Sequence, residues 1–179
     1  GSGIRYDLFD ESEYFETVVK HHTSGRLKVA PEHTEDHVLN LMRKPSFTMF
    51  ERLNSRFHQI CRRNELKYQL IPYFISSHPG CTERDMQNLA SKVLGKLNFN
   101  LEQVQDLTPT PMTLSSVMFY MGENPYTGEK VYVARSQDDK RKQKSYFFGG
   151  KLPEAQPKGR AEVHKSQRRG PSPYRPNKK

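Results

Sequence analysis

Apolar positions along the first 121 residues follow two alternating rhythms. Short β-rich runs are each followed by a longer stretch at helical spacing, the order expected of βαβ units around a parallel sheet. The first run, residues 4–9, leads into a helix over residues 11–22, with Asp10 as N-cap, Glu13 at N3 and Gly25 as the stop. A second strand, residues 26–30, ends at Pro31. The helical pattern that follows, residues 34–63, must break at Pro45 and can resume under a Ser46 cap. Phe50, Leu53, Phe57 and Ile60 then line one face, while Arg52, Arg56, Arg62 and Arg63 read as a solvated one. Residues 68–75 are nearly all apolar or aromatic, which predicts a parallel strand covered on both faces. Thr82 with Asp85 three residues on is a capping-box pattern that opens a helix running to Leu97. A shorter strand is expected over residues 103–107. A helix over residues 113–121 stops at Gly122, and a turn at residues 124–128 leads into a strand over residues 130–134.

Charge divides the chain. Residues 1–134 carry 15 basic and 16 acidic side chains and residues 135–179 carry 14 and 4, so the net charge of +9 belongs entirely to the last 45 residues. Only eight of those 45 are apolar, too few to offset the entropy of ordering them, and a disordered tail is expected. The expected organisation is therefore a body over residues 1–121, a β-hairpin extension over 122–148 and a disordered basic tail over 149–179. At 179 residues the chain is too short for a complete eight-unit βα barrel, which typically needs about 250. Two cysteines make no disulfide framework, and neither a signal peptide nor a run of about 18 apolar residues is present, so a reducing cytoplasm is the expected compartment.

In parallel α/β architectures ligands bind beyond the carboxyl ends of the strands. Those positions are polar here: Asp7 and Asp10, then Glu32 and His33, then Ser76, Ser77 and His78, then Thr108 and Thr110. Asp10 and Thr82 are explained as helix caps. Glu32, His33 and His78 have no evident capping role and stand equally as site or structure. A Cys81–His78 thiolate–imidazolium pair is conceivable, but a structural cysteine fits the spacing better, and Cys61 reads as a small buried side chain. Zinc needs about four ligands at paired spacing, which the sequence does not assemble, and no phosphate loop or nucleophile elbow is present.

Three strings are specific: Leu27-Lys28-Val29-Ala30-Pro31-Glu32-His33-Thr34, Leu70-Ile71-Pro72-Tyr73-Phe74-Ile75-Ser76-Ser77-His78-Pro79-Gly80-Cys81, and Gln103-Val104-Gln105-Asp106 leading to Thr108-Pro109-Thr110-Pro111-Met112-Thr113. Together with Ser2-Gly3-Ile4-Arg5-Tyr6-Asp7 and Gly128-Glu129-Lys130-Val131-Tyr132-Val133, they resemble the YgiQ-type radical S-adenosylmethionine (SAM) proteins over residues 2–148. The resemblance implies the C-terminal portion of a partial (βα)6 barrel, beginning at about the fourth strand. It also implies a parent enzyme with a four-iron, four-sulfur cluster on a C-x-x-x-C-x-x-C loop, which cleaves SAM reductively and abstracts hydrogen from a substrate the family leaves undefined. That motif is not in this chain, so the chain alone is expected to be inactive. Carried over by position, the resemblance implies that Arg5, Lys28, Glu32, Ser76 and His78 line the SAM and substrate side. A cation there suits the methionine carboxylate, Glu32 its ammonium and Ser76 a ribose hydroxyl.

Two further expectations follow. Three or four parallel strands alone leave edges unpaired and one apolar face uncovered, so the partner is expected to be an N-terminal barrel half carrying the cluster. The alternative is a nucleic-acid-binding module acting through the basic tail, against which a nonspecific contact with polyanions or RNA is the simpler reading. Aromatic interleaving is sparse after Phe148, which argues against base stacking.

Overall fold

The computed structural model describes Tyr6, residues 13–99, Leu101 and residues 103–148. The strand expected over residues 4–9, the Asp10 cap and the basic tail lie outside the described residues.

Helix α1, Glu13–His21, carries Glu13 and Glu16 in its first turn and Lys20 and His21 in its last, the charge order that suits the helix dipole. It leads to β1, Arg26–Glu32, then α2, Asp36–Leu41, and α3, Phe47–Arg63. The break at Pro45 falls where the missing N–H requires, and the Ser46 hydroxyl accepts from the Thr48 amide to cap the resumed helix. Strand β2 is Gln69–Ser76, followed by α4, Glu83–Ala90, whose Thr82–Asp85 capping box forms in full. The last turns of that helix, Ser91–Lys96, widen to π geometry and end with the Leu97 amide donating to the Lys92 carbonyl.

A two-residue β3, Gln105–Asp106, completes a parallel sheet of order β1-β2-β3. Pro109 and Pro111 lack the donors a longer ladder would need. Helix α5 is Leu114–Met121, stopped by Gly122 at φ +70°, and α6 is Gln137–Ser145. The architecture is mixed α/β, a three-stranded parallel sheet with flanking helices, and the described strands do not close into a barrel.

One face of the sheet is covered. Leu27 pairs with Leu70 and Val29 with Pro72 in register, and these side chains are buried with Phe74 and Ser76. Against them lie Phe47, Phe50, Leu53, Phe57 and Ile60 of α3, Phe15 and Val19 of α1, and Met86, Leu89 and Val93 of the fourth helix, all in one core cluster. Burying each of these large side chains contributes about 1.5–3 kcal/mol.

Three expectations need correcting. Strand β2 is fully buried on one face only: among the described residues Ile71, Tyr73 and Ile75 are half-buried, and Lys28, which pairs with Ile71, is exposed beside them. The strand expected over residues 130–134 reduces to one antiparallel bridge, Lys130 to Glu123, flanked by the Asn124 amide donating to the Glu129 carbonyl and the Val131 amide to the Gly122 carbonyl. The Tyr132 carbonyl accepts from the Gly80 amide instead of extending that pairing. Residues 137–145, part of the 45-residue stretch whose composition read as too poor in apolar residues to order, are helical. Ser136 caps them through the Asp139 amide, Asp138 and Asp139 sit in the first turn, Lys142 and Lys144 in the last, and Gln143 and Phe147 are buried. The local charge order and two tertiary anchors outweigh the low apolar content. Among the described residues no helix is long and apolar enough to cross a membrane.

Candidate functional site

The exits of β1 and β2 are conformationally unusual. Glu32 lies at φ +66° and Ser77 at φ +62°, left-handed backbone that few non-glycine residues adopt, and such outliers collect at ligand sites. Behind this rim the first two of the specific strings meet. His33 is fully buried; its Nδ1 accepts from the Glu35 amide at 3.1 Å, which leaves the proton on Nε2, 3.4 Å from the Cys81 sulfur. The thiol proton then faces the Thr82 carbonyl and the Gln143 amide oxygen, each 3.7 Å away. Burial pushes His33 down to about 3, and burial together with the Asp85 and Glu35 charges pushes Cys81 up to about 12. The pair is thus a neutral thiol and a neutral imidazole, and the partner of Cys81 is His33 rather than His78. Nothing in local spacing relates two residues 48 positions apart.

His78 is held separately. Its Nδ1 donates to the Pro79 carbonyl and its Nε2 accepts from the Ser115 hydroxyl, both at 2.8 Å, and burial lowers its pKa. Ser76 is also spent internally, donating to Asp106 at 2.7 Å.

Helix α6 clamps this rim through three nearly consecutive side chains. Gln143 accepts from the Ser77 amide at 2.8 Å and donates to the Cys81 carbonyl at 2.9 Å. Lys144 reaches the second oxygen of Asp106 at 2.8 Å, and Tyr146 donates to Glu83 at 2.6 Å. Sequence reasoning missed Asp106, Ser115, Gln143 and Lys144, because an amide inside a run of charges carries no periodic signal. The Ser77 hydroxyl is buried with no hydrogen-bond partner among the described residues, an uncommon state that marks the loop as more than a connection.

The loop also depends on Gly80, at φ +87°, where an added Cβ would stand 2.3 Å from a methyl of Leu41. Gly80→Ala is therefore expected to cost about 2–4 kcal/mol from backbone strain plus displacement of Leu41. Urea unfolding of the variant checks this, and a change under about 0.5 kcal/mol, the size of a neutral surface change, would remove the loop's steric constraint from the account.

Of the sequence-predicted site residues, Arg5 lies outside the described residues. Lys28 stands on the open face, its ammonium 5.6 Å from the Tyr73 ring centre. The Glu32 carboxylate lies 3.2 Å from Lys44, with burial raising its pKa against the pull of that lysine. Ser76 and His78 have hydrogen bonds inside the fold and Glu32 is paired with Lys44, while the Lys28 ammonium is exposed. Cys61 and Cys81 are both buried, on α3 and on the β2–α4 loop. They fall short of the three thiolates a four-iron, four-sulfur cluster needs, so this chain does not fit that group.

Fold and rim together define a mixed α/β protein, a three-stranded parallel sheet with flanking helices, in which one sheet face is only partly covered among the described residues. Residues 102–148, the part containing β3, α5 and α6, match the family model described as a domain of unknown function, DUF3362. The chain is similar to proteins named UPF0313 protein. It is 51% identical over 176 residues to one from Porphyromonas gingivalis, covering 92% of this chain and 27% of that protein. It is 51% identical over 159 residues to one from Bacteroides thetaiotaomicron, covering 83% and 26%, and 48% identical over 148 residues to one from Geobacter sulfurreducens, covering 82% and 24%. The chain thus spans about a quarter of the length of these curated relatives. No solved structure matches it.

Proposed function

We propose that this chain is a wall segment of a longer radical SAM protein, contributing the side of a βα barrel that holds the amino-acid end of SAM. The observation that supports the reading is the less covered sheet face. Parallel sheets are normally covered on both sides, yet among the described residues this face carries exposed Lys28 beside half-buried Ile71, Tyr73 and Ile75, a stripe of one cation and three large apolar or aromatic side chains. A barrel lumen completed by the rest of a polypeptide as long as the UPF0313 relatives would cover it. The cluster that powers SAM cleavage would belong to that other part, and the compartment would be the cytoplasm.

Within this reading Lys28 pairs with the SAM carboxylate and Glu32 with its ammonium. Both contacts are between charged groups, and the rest of the longer polypeptide would shield them from water, a setting in which such bonds are strong. In the longer polypeptide, Lys28→Ala or Glu32→Gln is expected to weaken SAM binding about 10-fold or more, one charge-assisted hydrogen bond being worth about 1.5–3 kcal/mol. Equilibrium dialysis with labelled SAM measures this, with exposed Tyr14→Phe as the control. SAM affinity unchanged in both charge variants sinks the reading.

A further inference from the structure

We propose that Glu35, His37 and Asp85 form a binding site for a divalent transition-metal ion, at the wall of a cavity beside the β1 and β2 exits. One donor atom from each of the three lies within 4.8 Å of the other two. They come from different places in the chain: Glu35 is the N-cap of α2, His37 lies one residue into that helix, and Asp85 sits in the first turn of α4.

Three observations support the site independently of the SAM reading. The first is the donor set. One imidazole nitrogen and two carboxylates suit zinc, manganese or iron(II), with three protein ligands and an open position, the arrangement of catalytic rather than structural ions. An ion held at about 2.1 Å needs donors about 3.4 Å apart, and His37 Nε2 already lies 3.3 Å from Asp85 Oδ2.

The second is charge. Among the described residues no lysine or arginine forms an ion pair with Glu35 or Asp85, although the Asp85 side chain is only 10% exposed. Two carboxylates share one imidazole here, and a divalent cation among the three donors would be attracted to both.

The third is access. His37 has a side chain 58% exposed and also lines a cavity of about 480 Å³, together with Asn40, Gly80, Lys130 and Tyr132. An ion on His37 would lie at the edge of that cavity, whose other polar lining residues include Asn124, Glu129 and Lys130, the last paired with Glu123. Both carboxylates are also oriented by neighbours, Asp85 by the Thr82 amide and hydroxyl at 2.8 and 2.7 Å and Glu35 by the Thr34 hydroxyl at 3.2 Å, as ligands of bound metals usually are.

The test uses the full chain, freed of metal with a chelator and titrated with zinc alone by calorimetry and with cobalt(II) alone by visible absorption. One saturable equivalent per chain is expected. His37→Ala and Glu35→Gln should each weaken binding about 10-fold or more, and together abolish it, whereas replacing His21 and His22 should leave it unchanged. Metal-free melting curves of the two variants should match the parent, since both side chains lie outside the core. Asp85→Asn is avoided because Asp85 also closes the α4 cap. Absence of saturable binding, binding that survives the double variant, or binding lost with His21 and His22 would each overturn the proposal.

Discussion

Gln143→Ala is expected to destabilise the chain by about 2–5 kcal/mol, because the substitution strands two buried backbone groups at once. The Ser77 amide loses its acceptor and the Cys81 carbonyl its donor, and each unsatisfied group costs about 1–3 kcal/mol. The effect should reach beyond α6, since the same amide holds both ends of the Ser77–Cys81 turn, and with it the contact between Cys81 and His33. Urea unfolding gives the magnitude. Amide exchange gives the location: protection should fall at Ser77 and Cys81 as well as along α6. Gln143→Glu keeps an acceptor for Ser77 but sets a buried carboxylate against the Cys81 carbonyl, and should cost at least as much as Gln143→Ala. A Gln143→Ala variant as stable as the parent would mean that α6 merely rests on the rim.

Acidification is expected to destabilise the fold well above the pH at which carboxylates titrate. His33 and His78 are both depressed by burial, His33 to about 3, whereas in the unfolded chain they return to about 6.5. Below about pH 6.5 the unfolded chain therefore binds protons that the folded chain refuses, and stability falls with pH, by at most about 1.4 kcal/mol per pH unit for each histidine. The loss continues toward pH 3 for His33. Asp85 faces His33 and is held below its usual range by the Thr82 hydrogen bonds and His37, more than offsetting its burial, so its stabilisation persists until the pH falls past about 3.8. The window from pH 6.5 to 4.5 is thus dominated by the histidines. Unfolding midpoints measured across that window in metal-free buffer should slope downward, and His78→Gln should flatten the slope while Ser115 keeps a partner. A level profile between pH 7 and 5 would show that neither imidazole is as shielded as its surroundings indicate.

The body of the fold was legible because short-range rules govern it. Pro45 breaks a helix wherever it stands, Thr82 and Asp85 close a capping box across three residues, and Gly122 ends α5 because it tolerates φ +70°. The apolar spacing of Phe50, Leu53, Phe57 and Ile60 identified the buried face of α3 for the same reason. Composition misled at α6. A count of apolar residues treats a charged helix as solvent-bound, whereas Gln143, Lys144 and Tyr146 hydrogen-bond it to the rim and Phe147 is buried beside it.

By itself the sequence determined the alternation of strands and helices over residues 26–121, the Ser46 and Thr82 caps, the breaks at Pro45 and Gly122, and which polar residues follow β1 and β2. All of these depend on interactions spanning a few residues. Tertiary structure alone decided which of those polar residues meet. Cys81 pairs with His33 across 48 positions, Ser76 with Asp106 across 30 and His78 with Ser115 across 37, while His37 and Asp85 converge from separate helices. Such contacts depend on how helices pack on a twisted sheet, where each pairing is stabilised by many distant contacts together and leaves no periodic trace along the chain.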